Sequence, residues 1–183
     1  FTEGRLYLVA VGKAAWEMAN SAVQCLTQKV CAGIVLTKYG HVQGPIKDVA
    51  CYEAGHPVPD ENSLRGTQAI LQMVTGLEEQ DTVLFLLSGG GSSLFEQPFI
   101  PLEELREITA QLLACGASIT EMNTIRKHLS QVKGGRFAVM CKPAHITSII
   151  LSDVIGDQID MIASGPTCGD SSSCADAIAI VEK

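Results

Sequence analysis

The 183-residue chain is 46% hydrophobic and 18% charged, carries a net charge of −7 and has a pI near 5.0. That composition suits one sizeable core, excludes intrinsic disorder and argues against a broad nucleic-acid surface. No apolar run approaches the roughly 20 residues that span a bilayer, and seven cysteines without a Cys-x-x-Cys pair or an Asn-x-Ser/Thr sequon predict buried, reduced thiols and a cytoplasmic setting.

The chain opens without Met on "FTEGRLYLVAVG" and stops inside a helical pattern at "IAIVEK", as expected of a segment of a longer protein. Residues 5–12 form an apolar run ending in Gly12. Trp16, Ala19, Val23 and Leu26 then recur at helical spacing. Residues 32–38 and 47–55 read as strands. Asp60 or Asn62 can cap a helix with Leu64, Leu71 and Val74 on one face. "TVLFLLS" (82–88) is a strand that runs into three glycines. A helix begins at Pro101, turns Leu105, Ile108 and Leu112 inward, and stops at Gly116. Ser118 and Glu121 have capping-box spacing for the next helix, with Met122, Ile125, Leu129 and Val132 as its stripe and Gly134-Gly135 as its end. Residues 145–153 are the last strong strand, and "CADAIAIVEK" starts a final helix.

The strands are continuous apolar runs, the pattern of parallel strands buried on both faces. Alternating with helices, they predict a single α/β domain: a doubly wound, mostly parallel, Rossmann-like sheet flanked by helices. In such sheets ligands bind at the carboxyl ends of the strands, and three of those ends carry unusual loops.

The loop Ser88-Gly89-Gly90-Gly91-Ser92-Ser93 offers free backbone N–H groups at a helix start, a phosphate cradle in kind. It lacks the lysine of a P-loop. Leu94 stands where a dinucleotide fingerprint has its third glycine, and Phe95 breaks a hydrolase elbow. Lys13 sits at a helix N-terminus, where the dipole disfavours a cation; it is either a solvated lysine or a functional one. Asn123, Arg126, Lys127 and Ser130 share a helical sector, either a solvated face or a site for a small anion. Asp153 ends a strand and suits a general base or a Mg²⁺ ligand, whereas Asp157 and Asp160 suit turns. Ser164-Gly165-Pro166-Thr167 is a rigid polar turn. His56, between Gly55 and Pro57, reads as structural, and no histidine has zinc-ligand spacing.

Taken in order, "VGKAAWEMA", "EAGHPVPDENS", "LLSGGGSSL", "NTIRKHLSQVKGGRFA" and "LSDVIGDQIDMIASGPT" resemble the glycerate 2-kinases of the two-domain class, some of which have been labelled hydroxypyruvate reductases. The resemblance covers about residues 5–180. It implies transfer of the γ-phosphoryl of ATP, with Mg²⁺, to the C2 hydroxyl of D-glycerate, giving 2-phosphoglycerate and ADP. It also implies that residues 1–183 are the N-terminal Rossmann-like domain, without the family's leading helix, and that a smaller C-terminal domain completes the cleft. The isolated segment is then expected to be inactive, with glycerate as its small-molecule partner, no nucleic acid or membrane partner, and a homodimer compatible. By position, Lys13 resembles the family's catalytic lysine, and Ser88 to Ser93 its phosphate-binding turn. Asn123, Arg126 and Lys127 fall in its substrate-side stretch, and Asp153 in its last strand-end loop. Ala10-Val11 depart from the pattern, which favours a further glycine-like residue before Gly12-Lys13. Two other readings stay open: an NAD(P)H-dependent hydroxypyruvate reductase, which needs a fingerprint not found here, and a non-catalytic anion-binding domain.

Overall fold

The computed structural model describes residues 4–26, 29–152 and 158–183; Asp153 and Asp157 lie outside them. In chain order the elements are β1 (Leu6–Val11), α1 (Ala15–Cys25), β2 (Val30–Lys38), β3 (Val49–Ala54), α2 (Glu61–Met73), β4 (Thr82–Ser88), α3 (Gly91–Leu94), α4 (Leu102–Ala114), α5 (Ile119–Leu129), α6 (Arg136–Met140), β5 (His145–Leu151), a 3-10 turn (Ile162–Ser164) and α7 (Cys174–Val181). The five strands form one sheet in the order β3-β2-β1-β4-β5, and every pair is parallel. The chain therefore winds outward from β1 on one side and restarts at β4 on the other. The carboxyl ends of β1 and β4 flank the point where the strand order reverses, which is where such sheets bind ligands.

The period of two along β1 explains the two cores. Leu6, Leu8 and Ala10 face α1 with Val35, Leu84 and Leu86. Tyr7, Val9 and Val11 face the opposite layer with Leu36, Phe85, Leu87, Phe95 and Phe137. In that layer the three phenylalanine rings pack with centroids 5.1–6.1 Å apart, a geometry that adds to their area burial.

Asp81, just before β4, anchors the amino end of β1. It accepts from Arg5 Nη2 at 2.6 Å and from the Arg5 and Glu78 backbone N–H groups. The Arg5 hydrogen bond dominates in holding the Asp81 carboxyl down at about 2. Because this folded value lies below the unfolded one, near 3.9, the contribution to stability is complete above about pH 4 and is lost as pH falls through about 2. Asp81→Asn is therefore expected to flatten the acid limb of the Tm–pH curve between about pH 4 and 2. Calorimetry at stepped pH checks this, and an acid limb like that of the wild type would refute the assignment.

Several expectations need correction. Asp60 rather than Asn62 caps α2, and Ser63 completes its capping box. The buried face of α2 is Ser63, Gly66, Thr67 and Ile70, with Val74 behind it; Leu64 and Leu71 are only half-buried. Gly66 sets that orientation, since a Cβ there would stand 2.5 Å from Leu36 Cδ1. On α4, Leu105 is buried as expected, but Ile108 and Leu112 remain half-exposed. Helix α5 has its Ser118–Glu121 capping box but ends at Leu129, so Val132 is buried from an irregular segment. Strand β5 is an edge strand, with Ile149 53% and Leu151 56% exposed. The cysteines are free thiols, but Cys141 alone is buried, its thiol pushed up to about 12 by desolvation; Cys25, Cys31, Cys115 and Cys174 are exposed. Among the described residues no helix is long and apolar enough to cross a membrane.

Candidate functional site

The β1 and β4 loops are tied together at the switch point. Gly12 takes φ +122°, and a Cβ on it would lie 2.2 Å from Ser88 Oγ and 2.5 Å from Ser88 O. Only glycine allows that approach. The Lys13 N–H then donates to Gly89 O at 2.9 Å, and the Ala14 N–H to Ser88 Oγ at 3.1 Å. Thr37 on β2 donates to Gly12 O. The hydroxyl of Ser88, fully buried, thus serves the neighbouring strand end within the fold.

Gly90 is left-handed (φ +86°) and opens the single-turn helix α3. A Cβ on Gly90 would meet the His56 ring at 2.9 Å and Lys13 Cγ at 3.1 Å. The bare backbone of the turn is therefore flanked by Lys13, which is exposed, and by His56. This places His56 beside the turn. The only hint in the sequence was its Gly-His-Pro setting. On the far side of the turn, Gly91 packs on Ala163, where a Cβ would stand 2.8 Å from the Ala163 Cβ. Ala163 and Ser164 hold positive φ (49° and 60°) without being glycine, a strained backbone of the kind that clusters at functional loops.

A hydroxyl chain links this loop to α5: Ser92 Oγ lies 3.0 Å from Ser164 Oγ, which donates to Asn123 Oδ1 at 3.2 Å. Ser93 Oγ donates to Gly90 O. The α5 sector is no solvated face, since Asn123, Lys127 and Ser130 are buried. Lys127 Nζ sits between Asp160 Oδ2 (3.2 Å) and Asp170 Oδ1 (3.3 Å), clamping α5 to the segments around the 3-10 turn. Arg136 donates to Lys127 O and Lys133 O.

Arg126 is half-buried on α5, and its side chain makes no hydrogen bond among the described residues. Burial lowers its pKa, opposed by nearby Glu96, yet a guanidinium stays charged in proteins. Glu96 is itself 2% exposed and is paired through Oε2 with the wholly buried Lys133 at 2.5 Å. The sequence does not pair them, because they stand 37 residues apart.

The structure thus brings together Lys13, the Gly89–Ser93 turn, His56, Asn123 and Arg126. Lys127 lies behind them, already engaged. Asp153 falls outside the described residues, and among those described no three His, Cys, Asp or Glu groups converge to hold a metal.

Comparison with known proteins agrees with the α/β fold. The chain is 59% identical over 181 residues to the D-glycerate 2-kinase of Thermotoga maritima, an alignment covering 98% of this chain and 43% of that protein. It is 46% identical to the glycerate 2-kinase of Pyrococcus horikoshii, covering 98% of this chain and 40% of that one. The crystal structure of Thermotoga maritima glycerate kinase superposes with a TM-score of 0.94 at 58% identity, over 97% of this chain and 44% of that chain. The chain thus spans less than half the length of the relatives it matches. A family model described as Domain of unknown function (DUF4147) matches residues 2–183, and the chain belongs to that family.

Proposed function

We propose that this chain is the Rossmann-like, nucleotide-facing part of a glycerate 2-kinase, which transfers the γ-phosphoryl of ATP to the C2 hydroxyl of D-glycerate. The observation that carries the reading is Lys13 packed against the bare Gly90 turn at the switch point, in a chain similar to proteins named for that activity.

Phosphoryl transfer asks mainly for positioning and charge neutralisation. In this reading the Gly89–Ser93 turn presents N–H groups to the nucleotide phosphates. Lys13 supplies a cation from the neighbouring strand end, where charge spreads over the transferring group. The C2 oxygen bonds to the γ-phosphorus as the bond from that phosphorus to the β,γ-bridging oxygen breaks. The hydroxyl proton passes to a base, the role that the resemblance gives to Asp153, or to solvent, and ADP carries away the electron pair. Asn123 and Arg126 face the acid, while Lys127 holds α5 in register through Asp160 and Asp170. Among the described residues no three His, Cys, Asp or Glu groups converge; a Mg²⁺ held by the nucleotide phosphates and one or two carboxylates would supply charge neutralisation at the transferring group. Asp153 is assigned to the metal or to proton removal by resemblance alone. A C-terminal domain would close the cleft, with the cytoplasm as the setting.

The test is ADP release by the full-length protein with ATP, MgCl₂ and D-glycerate, with enolase added to consume 2-phosphoglycerate but not 3-phosphoglycerate. Turnover that requires both substrates and feeds enolase directly is expected. No ADP release, accompanied by NADH oxidation with hydroxypyruvate, would overturn the reading in favour of the reductase.

A further inference from the structure

Behind the glycine turn lies a cavity of about 110 Å³, walled by Ser92, Ser93, Glu96, Arg126, Pro57 and Leu105 among others. It is several times the space one water needs and well below the roughly 300 Å³ of a drug-sized pocket, a size for a molecule of a few heavy atoms. Its charges are specific. Arg106, also on the wall, is committed to Glu103 and to Pro59 O. The Arg126 side chain makes no hydrogen bond among the described residues. Glu96 and Lys133 neutralise each other, so among the described residues Arg126 leaves the wall with one uncompensated positive charge, which calls for a small monoanion.

Glu96 adds a second requirement. Oε2 accepts from Lys133, but Oε1 is buried and has no hydrogen-bond partner among the described residues. Gln97 Oε1 is the other such oxygen, and Gln97 does not line the cavity. A buried acceptor without a donor is costly, and a ligand hydroxyl would remove that cost. The glutamate cannot swing away, because the Glu96 backbone N–H is held by Thr67 Oγ1 and Lys133 is pinned to Phe95 O.

We propose that this cavity is the hydroxy-acid subsite, with Arg126 holding the carboxylate and Glu96 Oε1 accepting from the C3 hydroxyl, so that Glu96 selects a 2,3-dihydroxy acid over a 2-hydroxy acid. The assignment rests on the kinase reading for the identity of the acid. The C2 hydroxyl is left for the glycine turn, whose last glycine, Gly91, adjoins Ser92. A site built to hydrogen-bond a hydroxyl discriminates strongly against the analogue that lacks it, because its polar group is then left unpaired.

The test is calorimetric binding of D-glycerate, D-lactate and 3-fluorolactate to the full-length protein. Fluorine nearly matches hydroxyl in size but cannot donate. The wild type is expected to bind D-glycerate about 10- to 100-fold more tightly than either analogue, the range for a hydrogen bond to a charged group. The double variant Glu96→Met/Lys133→Met, which removes the acceptor without stranding a charge, should bind all three within about threefold of one another. Equal binding of the three acids by the wild type overturns the proposal without any variant having to fold. So does a full preference retained in a folded double variant, or no binding of D-glycerate. If binding follows the expectation but no phosphoryl transfer occurs, the kinase reading fails and the subsite stands.

Discussion

Lys13→Ala in the full-length protein is expected to lower kcat for glycerate phosphorylation by about 10²–10³-fold, the usual cost of removing one preorganised charge stabiliser. KM for glycerate should stay within about threefold, because the lysine acts on phosphate charge that grows toward the transition state. The geometry dictates this split. Lys13 lies on the Gly90 turn and is not among the residues that wall the proposed acid-binding cavity. Stability should fall by no more than about 1 kcal/mol, since Lys13 is exposed and an interaction of a surface lysine contributes at most that much. Steady-state kinetics with a thermal melt on the same preparation checks both. A kcat within threefold of wild type would leave Lys13 a surface lysine.

The parts of this arrangement that rest on chain-local pattern were legible in the sequence. The five strands, the parallel sheet implied by alternation, the capping box at Ser118 and Asp60 as one of two candidate caps are written in contiguous residues. What escaped depends on partners far along the chain. "HITSIIL" is as apolar as a central strand, and nothing within it reveals that β5 has a neighbour on one side only among the described residues. Helices α3 and α6 have four and five residues, too few for a 3.6-residue period to register. Ser88 reads as a ligand contact because it precedes glycines, yet its hydroxyl is claimed by Ala14, 74 positions earlier. The α5 basic cluster reads equally well as solvated or functional until the fold supplies Asp160, Asp170 and Glu96 from other segments.

Lys133→Met is expected to destabilise the protein by about 3–5 kcal/mol, the range for breaking a buried ion pair from one side. Lys133 is 0% exposed, and its ammonium serves both Glu96 Oε2 and Phe95 O. Without it the Glu96 carboxylate is left buried with neither oxygen paired. Burial lowers the Lys133 pKa and Glu96 opposes that shift, so the cation depends on its partner as much as the carboxylate does. Glu96→Met in the Lys133→Met background should recover most of the loss, because two apolar side chains of similar volume replace a buried pair at little or no net cost. Urea denaturation of the two single variants and the double variant completes the cycle. A double variant no more stable than Lys133→Met alone would show that packing, rather than charge, is what Lys133 supplies. If the recovery is found, the fold has no thermodynamic need of this pair. Its presence beside Arg126 then fits the proposed subsite, where an apolar pair would be as stable and would leave a substrate hydroxyl with nothing to donate to.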